Sequence, residues 1–308
     1  MQAMITRIKV ITFHTEGFPH DDGLPLDQSM EDLKALVLSQ GCEFEAYTPR
    51  KLRALGAEDL VQRYDDKYAL PKNPGLHTIG MCAWKPFVLL HALQSMNKND
   101  LVIYTDANIG KYPGLRVAME NIPEFVAGTG DVHDFFVGRE CEDQRRKVAQ
   151  HASGRQIVEI GGNTVFSCNF PMHIVNRIVS RNTPAAKEIL LYWLALCRVQ
   201  KFILPPLVGD HHEEYRWFCP EQSVLNLILA NLIEEGQLPY YYSTIGFDRA
   251  GRRFVGDNSH LSCISAPIGR PNYIPFRQRF AKEIAEAELY AVTRTAQPLP
   301  VDGAKKAA

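Results

Sequence analysis

Two polar side chains stand one residue apart directly after a short apolar run about a third of the way along the chain. Asp106 and Asn108 follow Leu101–Tyr104, whose composition predicts a buried strand. Ligands bind at the carboxyl ends of strands in open α/β sheets, so the pair is predicted to face a ligand. Their oxygens suit a hard cation such as Mg²⁺ or Mn²⁺ that carries phosphates. The structural alternative is an Asx turn that ends the strand.

Two other segments place polar groups at the predicted starts of helices. Lys85 lies between Trp84 and Pro86, and a proline is well placed at a first helical position. An ammonium group there can pair with phosphate, although a solvated lysine beside a core tryptophan is nearly as good an explanation. Glu221 and Gln222 open a later apolar helix, where the helix dipole by itself also favours Glu.

These segments resemble nucleotide-sugar glycosyltransferases of the GT-A fold. Residues 84–86 are similar to the Trp-Lys-Pro motif of bacterial capsule and lipopolysaccharide transferases, and residues 104–108 resemble their Tyr-x-Asp-x-Asp region. Residues 221–226 resemble the Asp-Gln-x-x-Leu-Asn segment of several retaining families, with Glu in place of Asp. The resemblance covers residues 5–235 in patches. It implies transfer of a sugar from a nucleotide-diphosphate donor, with UDP-sugar favoured, to a hydroxyl of a glycan or glycolipid.

The resemblance also implies roles for individual residues. The implied catalytic residues are Glu221, Gln222 and Asp106. The residues implied to bind the nucleotide sugar are Phe13, His14, Thr15, Lys85, Tyr104 and Gly162. The implied ligands of a Mn²⁺ or Mg²⁺ cofactor are Asp106, Asn108 and His260. Asn108 stands where the family has Asp, and the lost negative charge is expected to weaken cation binding; the Glu-Gln segment favours a retaining reaction.

Two other functions remain open from the sequence. A sugar-phosphate nucleotidyltransferase of the same architecture usually carries an early glycine-rich loop with a basic side chain. Residues 14–23 contain two glycines but no Lys or Arg, which disfavours it. The Asn at position 108 motivates the second alternative, a catalytically inactive nucleotide-sugar binding module. Serine hydrolases, P-loop kinases and dinucleotide enzymes are disfavoured because their G-x-S-x-G, G-x-x-x-x-G-K-[ST] and G-x-G-x-x-G motifs are absent from the sequence.

Composition indicates an ordinary globular protein. The 308 residues carry a formal net charge of −1, which gives no indication of a nucleic-acid partner. The seven cysteines are odd in number and form no C-x-x-C pair, so we expect neither a disulfide framework nor a zinc ribbon. The apolar stretch Ile189–Cys197 is about half of the ~20 residues that cross a bilayer, so we expect no transmembrane segment and a cytoplasmic protein.

The pattern of elements predicts the α/β class. We expect a single GT-A-like catalytic domain over residues 1–290, with a mostly parallel central sheet and helices on both faces, and a disordered tail at 291–308. The predicted strands are 8–13, 43–47, 101–104 and 164–167. Predicted helices begin at Ser29, Pro86, Pro171, Pro184, Glu221 and Gln278. The charged run 138–156 is expected to form an exposed helix or loop.

Overall fold

The computed structural model describes residues 7–15, 26–62, 79–109, 113–129, 135–140, 147–206, 209–238, 245–247, 253–255 and 273–295. Within these residues seven strands form one sheet. The strands are β1 Ile8–Phe13, β2 Glu43–Tyr47, β3 Leu101–Thr105, β4 Phe135–Glu140, β5 His173–Arg181, β6 Ile245–Phe247 and β7 Arg253–Val255. The helices are α1 Leu26–Ser39, α2 Pro49–Ala54, α3 Lys85–Gln94, α4 Pro113–Glu120, α5 Ile122–Thr129, α6 Val165–Asn169, α7 Pro184–Cys197, α8 Gln200–Ile203, α9 Pro220–Glu234, α10 Phe276–Arg279 and α11 Ala281–Thr295. The predicted α/β class is confirmed.

The sheet is mixed in direction. Its strand order is β2-β1-β3-β5-β4-β6-β7. Strand β1 runs parallel to β2 and β3, and β4 runs parallel to β6. Strand β5 is antiparallel to both of its neighbours, and β7 is antiparallel to β6. Three of the six neighbouring pairs in the described sheet are therefore antiparallel, and the prediction of a mostly parallel sheet is not confirmed.

The strand order creates a crevice at the carboxyl ends of β1 and β3. The chain leaves β1, forms α1 and returns as β2 on one side of β1, whereas β3 pairs with the other side. Successive connections thus depart in opposite directions from neighbouring parallel strands, which is the arrangement that opens a ligand-binding crevice in α/β proteins. Both strands end with residues that the sequence singled out.

Helices cover both faces of the sheet. Alternate residues of a strand point to opposite faces, and Val10 and Ile11 of β1 belong to two separate buried clusters. The Val10 cluster includes residues of α1, α4 and α5. The larger Ile11 cluster includes α3, α7, α9 and α11. None of the helices in the described part of the chain combines the length and the apolar character that a membrane span requires.

Two predicted elements have the wrong type. The helix expected from Pro171 is the strand β5. Its β-branched residues pair with β3 and β4, which are far away in the sequence, so local periodicity does not predict the pairing. The strand expected at 164–167 is the start of α6. Thr164 caps that helix, since its Oγ1 accepts a hydrogen bond from the Ser167 amide at 2.9 Å and its own amide donates to Ser167 Oγ at 3.2 Å.

Several boundaries and environments also differ from the predictions. Helix α1 begins at Leu26 instead of Ser29, and α11 continues to Thr295, beyond the predicted domain end at 290. Within the charged run 138–156, residues 138–140 belong to β4, residues 141–146 lie outside the described residues, and most of residues 148–156 are buried, so the prediction of an exposed element is wrong for this last part. Side chains such as Gln156 find hydrogen-bond partners inside the protein, which makes their burial tolerable.

The contact between β2 and α3 gives the fold a dependence on pH. The Tyr47 hydroxyl lies 2.7 Å from His91 Nδ1. Burial raises the pKa of Tyr47, so the hydroxyl stays protonated and donates a hydrogen bond to a neutral imidazole. Burial, against the opposing charge of Glu45, lowers the pKa of His91. The imidazole is therefore neutral in the folded protein at neutral pH.

We expect the protein to lose stability as the pH falls below the ordinary histidine pKa of about 6.5. Below that pH the unfolded chain binds a proton at His91 that the folded chain does not yet bind, so unfolding is favoured. One such group changes the free energy of unfolding by at most about 1.4 kcal/mol per pH unit. Urea unfolding between about pH 5 and pH 8 measures the effect. His91→Gln should flatten this part of the profile, and parallel profiles for the two proteins would contradict the assignment.

Candidate functional site

A cluster of three charged side chains, two of them buried, lies at the carboxyl edge of β3. Lys85 Nζ is 3.0 Å from Glu221 Oε1 and 4.0 Å from Asp106 Oδ1. The Lys85 and Glu221 side chains are 7% and 4% exposed, whereas that of Asp106 is 31% exposed. We name these three residues the charge cluster. It has an inner ion pair and an outer carboxylate that solvent or a ligand can reach.

The backbone before α3 is held in an uncommon conformation that places Lys85. Gly80, Met81 and Cys82 have φ angles of 59°, 48° and 59°, all in the left-handed region. A Cβ atom on Gly80 would lie 1.8 Å from the carbonyl oxygen of Leu60, so only glycine fits there. Strained backbone of this kind is concentrated at functional sites. This turn was not predicted, although the glycine four residues before Trp84 was a visible signal.

Asp106 is fixed by its neighbours on the sheet. Its amide donates to the carbonyl of Asn176 on β5 at 3.0 Å, which continues the pairing of β3 beyond its last residue. The Tyr104 hydroxyl donates to Asp106 Oδ1 at 2.7 Å. Burial, and next the charge of Asp106, raises the pKa of Tyr104 well above its ordinary value, so the phenol stays protonated and keeps donating.

Glu221 is fixed from the opposite side by the first turn of α9. Its carbonyl accepts a hydrogen bond of 2.8 Å from the indole nitrogen of Trp193 on α7. Its side chain accepts the bond from Lys85. Burial would disfavour the ammonium form, but the Glu221 and Asp106 carboxylates outweigh burial and raise the pKa of Lys85 well above its ordinary value. Lys85 is therefore a permanent cation in the folded protein.

The charge cluster has more negative than positive charge. It contains two carboxylates and one ammonium group. Tyr104 and Cys82, which lie beside it, are neutral, since burial raises the pKa of both the phenol and the thiol. The three charges of the cluster therefore sum to −1. The more exposed carboxylate, that of Asp106, is where a divalent cation can approach.

Two buried polar atoms at the crevice have no hydrogen-bond partner among the described residues. They are Thr15 Oγ1, just after β1, and Asn108 Oδ1, just after β3. Buried polar atoms in proteins are nearly always hydrogen-bonded, so both atoms call for a ligand or water. Because β1 and β3 are adjacent parallel strands, the two atoms follow neighbouring strand ends at the switch point.

The residues at the end of β1 differ in what they can offer a ligand. Phe13 is buried and stacks on Trp84, with ring centroids 3.7 Å apart and planes 13° from parallel. One face of Phe13 is therefore already covered. His14 is also buried, and its amide donates to the Tyr47 carbonyl at 2.8 Å. Of these three residues, Thr15 is the one with an unsatisfied side-chain oxygen and a half-buried position.

The residues present suit a divalent cation in charge and in donor type. Asp106 supplies an accessible carboxylate, and Asn108 Oδ1 is a neutral oxygen with no hydrogen bond in the described part of the chain. Oxygen donors of this kind are those that Mg²⁺ and Mn²⁺ prefer. The described residues contain no group of three or more His, Cys, Asp or Glu side chains able to hold a metal. The third predicted ligand, His260, lies outside the described residues.

The other predicted site residues do not join the charge cluster directly. Gly162 has a φ of +64° and forms the turn before α6. Gln222 is half-buried and is the one residue of α9 that is not fully buried. Asn226, four residues further along, fastens α9 to β5. Its Oδ1 accepts from the His173 amide at 2.8 Å, and its Nδ2 donates to the His173 carbonyl at 3.0 Å.

The structure thus brings Lys85, Tyr104, Asp106 and Glu221 together from three separate segments of the chain. Comparison with known proteins gives no further indication of their role, because no family model, no curated protein and no solved structure matches this chain.

Proposed function

We propose that the chain is a glycosyltransferase of the GT-A type, which moves a sugar from a nucleotide-diphosphate donor to a hydroxyl of a glycan or glycolipid. The observation that carries the proposal is the meeting of Lys85 with Glu221, 136 positions away in the sequence, and with Asp106. Each residue comes from a segment that resembles these transferases. Their convergence at a strand switch point supports a common ligand for all three segments.

Asp106 and Asn108 would hold the cation in this proposal. A bound divalent cation would neutralise the charge that develops on the departing nucleoside diphosphate. Tyr104 holds Asp106 Oδ1 by its hydrogen bond and so orients the carboxylate. Thr15 Oγ1 would bind the nucleotide from the end of β1. Rate enhancement would then come from orientation and from fixed charges, without a large rearrangement of the protein.

Lys85 and Glu221 are assigned to positioning in this proposal. Their side chains are too deeply buried to offer much surface to a sugar or a phosphate. The ammonium group instead restrains the direction of both carboxylates. Gln222, the half-buried neighbour on α9, is the residue of that segment that would reach the sugar hydroxyls. We also place the enzyme in the cytoplasm, a reducing compartment that suits the five free cysteines of the described residues.

The proposal is tested by thermal unfolding with UDP, GDP, their sugars and CMP-sialic acid, each with and without Mn²⁺. A nucleotide-diphosphate ligand at about 100 times its dissociation constant should stabilise the fold by about 2.7 kcal/mol. Stabilisation that needs Mn²⁺ supports the cation site at Asp106 and Asn108. Stabilisation without Mn²⁺ supports the donor site and contradicts a role for the cation in nucleotide binding. The absence of any shift with every nucleotide would contradict the proposal.

The same samples distinguish the two alternatives. A nucleotidyltransferase would be stabilised by a nucleoside triphosphate together with a sugar phosphate, and would release pyrophosphate. An inactive binding module would be stabilised by a nucleotide sugar but would never hydrolyse or transfer it. Slow hydrolysis of the stabilising nucleotide sugar to free sugar and nucleoside diphosphate, seen by chromatography, therefore supports the transferase over both alternatives.

Asn108→Asp should strengthen the cation site. The substitution supplies the second carboxylate that the related motif carries, at a position whose oxygen has no hydrogen-bond partner within the described residues. We expect the Mn²⁺ concentration for half-maximal stabilisation by the nucleotide to fall by about tenfold, equivalent to about 1.4 kcal/mol of added attraction. Asn97→Asp, an exposed asparagine in the turn before β3, is the matched control. An unchanged Mn²⁺ dependence for Asn108→Asp would place the cation elsewhere.

A further inference from the structure

A small cavity lies away from the charge cluster, where the start of α8 meets the loop after residue 203. Its volume is about 250 Å³. The residues that line it are Ser153, Arg155, Gln200, Lys201, Leu204, Pro205, Pro206 and Asp210. Drug-sized ligands occupy about 300–1,000 Å³, so this cavity suits a molecule no larger than a single sugar ring. The lining combines three apolar residues with five polar or charged ones, as in many ligand sites.

Two polar side chains of the cavity have no hydrogen-bond or ion-pair partner among the described residues. The Arg155 side chain makes no hydrogen bond and no ion pair with any described residue, although its backbone amide donates to Asp210 Oδ1 at 2.9 Å. The Gln200 side chain likewise has no partner in the described part of the chain. A half-buried guanidinium that forms no ion pair with the described residues, set in a concave surface, favours an anion that can accept hydrogen bonds from its paired N–H groups.

The two other charged side chains of the cavity, Lys201 and Asp210, each contact another described residue. Lys201 pairs with the Glu159 carboxylate, just outside the cavity lining. Asp210 directs Oδ1 to the Arg155 amide and so faces the backbone. The lining thus holds two positive charges, those of Arg155 and Lys201, against the one negative charge of Asp210. This excess of positive charge favours a negatively charged ligand, and the Gln200 amide is a neutral donor of the same lining.

We propose that this cavity is a binding site for a small anion, a carboxylate or phosphate group carried by a molecule of about monosaccharide size. The Arg155 guanidinium binds the anionic oxygens in a paired arrangement, and Gln200 contributes a further hydrogen bond. Leu204, Pro205 and Pro206 cover the uncharged part of the ligand. The inference does not depend on the proposed transferase activity.

Hydrogen bonds connect the lining of the cavity to the first residue of α9, Pro220. Gln156, the residue after Arg155, donates to the Phe202 carbonyl at 2.6 Å and to the Pro220 carbonyl at 3.2 Å. Ser153 Oγ accepts from the Gln156 amide at 3.1 Å, so the cavity lining and the Gln156 bonds form one connected unit. Pro220 immediately precedes Glu221. An anion bound to Arg155 would therefore contact the residue next to Gln156, and Gln156 is hydrogen-bonded to the first turn of α9, which carries Glu221.

Calorimetric titration of the full chain with inorganic phosphate and, separately, with glucuronate tests the site. We expect a dissociation constant of about 1 mM or tighter for at least one probe. Arg155→Gln should weaken that binding at least tenfold, because it removes the charge and the paired donors. Gln200→Ala should weaken it less. Arg53→Gln, an exposed arginine on α2, is the matched control and should leave binding unchanged.

Glu159→Gln is a second, independent test, because this substitution should raise the affinity for the anion where Arg155→Gln lowers it. The substitution releases Lys201 from its ion pair, so binding of the anion should become a few-fold tighter. Phosphate binding without glucuronate binding identifies a phosphate-bearing ligand, and the reverse identifies a carboxylated sugar. Equal affinity of Arg155→Gln and the unmodified protein would overturn the proposal, as would the absence of heat with both probes at about 10 mM. Thermal unfolding of each variant confirms that it is folded.

Discussion

Lys85→Met is expected to lower the free energy of unfolding by about 3–5 kcal/mol. The substitution keeps the length of the side chain but removes the ammonium group that lies 3.0 Å from Glu221 Oε1. The Glu221 side chain is 4% exposed, so its carboxylate would be left buried without a compensating charge. Removing one member of a buried ion pair is costly for this reason, even where the intact pair adds little net stability. Urea unfolding at neutral pH measures the change.

Two further variants show whether the loss comes from the buried charge. Lys98→Met removes an exposed lysine before β3 and should change stability by less than about 0.5 kcal/mol. The double variant Lys85→Met with Glu221→Gln should recover much of the loss, because the uncompensated carboxylate is gone. A single Lys85→Met variant within about 1 kcal/mol of the unmodified protein would show that Glu221 is hydrated or protonated and that the ion pair is not structural.

Asp106→Asn is expected to reduce nucleotide-sugar hydrolysis or transfer by at least about 100-fold while leaving the fold nearly as stable. The amide oxygen can still accept the 2.7 Å hydrogen bond from Tyr104, and the side chain is already 31% exposed. What the variant lacks is the negative charge that faces the outside of the charge cluster. Initial rates at saturating donor, together with thermal unfolding of the same sample, separate the two effects.

The control for this variant is Asp32→Asn, which removes an exposed carboxylate from α1 and should alter neither rate nor stability. The Mn²⁺ dependence adds a second readout, because Asp106→Asn should also abolish the stabilisation that Mn²⁺ gives in the presence of nucleotide. A variant with the original rate and the original Mn²⁺ dependence would remove Asp106 from the site and leave the charge cluster with a purely structural role.

The elements that the sequence predicted well are those with strong local patterns. Strands β1 and β2 were predicted with the observed bounds, because a short apolar or β-rich run between polar turns indicates a buried strand. Helix α7 begins at the predicted Pro184. Helix α9 begins one residue before the predicted Glu221, since the cyclic residue Pro220 occupies the first helical position.

Strand β5 shows where local patterns are insufficient. Its residues pair with β3 and β4, and those partners lie tens of positions away in the chain. A run such as His173–Arg181 has similar local preferences in a strand and in a buried helix, so the pairing partners decide its conformation. The charged run 138–156 shows a similar limit: its composition suggested exposure, but most of residues 148–156 are buried, and the side-chain amide of Gln156 finds its hydrogen-bond partners inside the protein.

For the candidate site, the sequence by itself determined which residue types stand at strand ends and helix starts: Asp106 and Asn108 after β3, Lys85 at α3 and Glu221 at α9. Only the tertiary structure decided that Lys85 pairs with Glu221, that Glu221 is buried and that Asp106 keeps an open side. The physical reason is that strand and helix patterns depend on near neighbours, whereas burial and ion pairing depend on the packing of α3, α7 and α9 against the sheet.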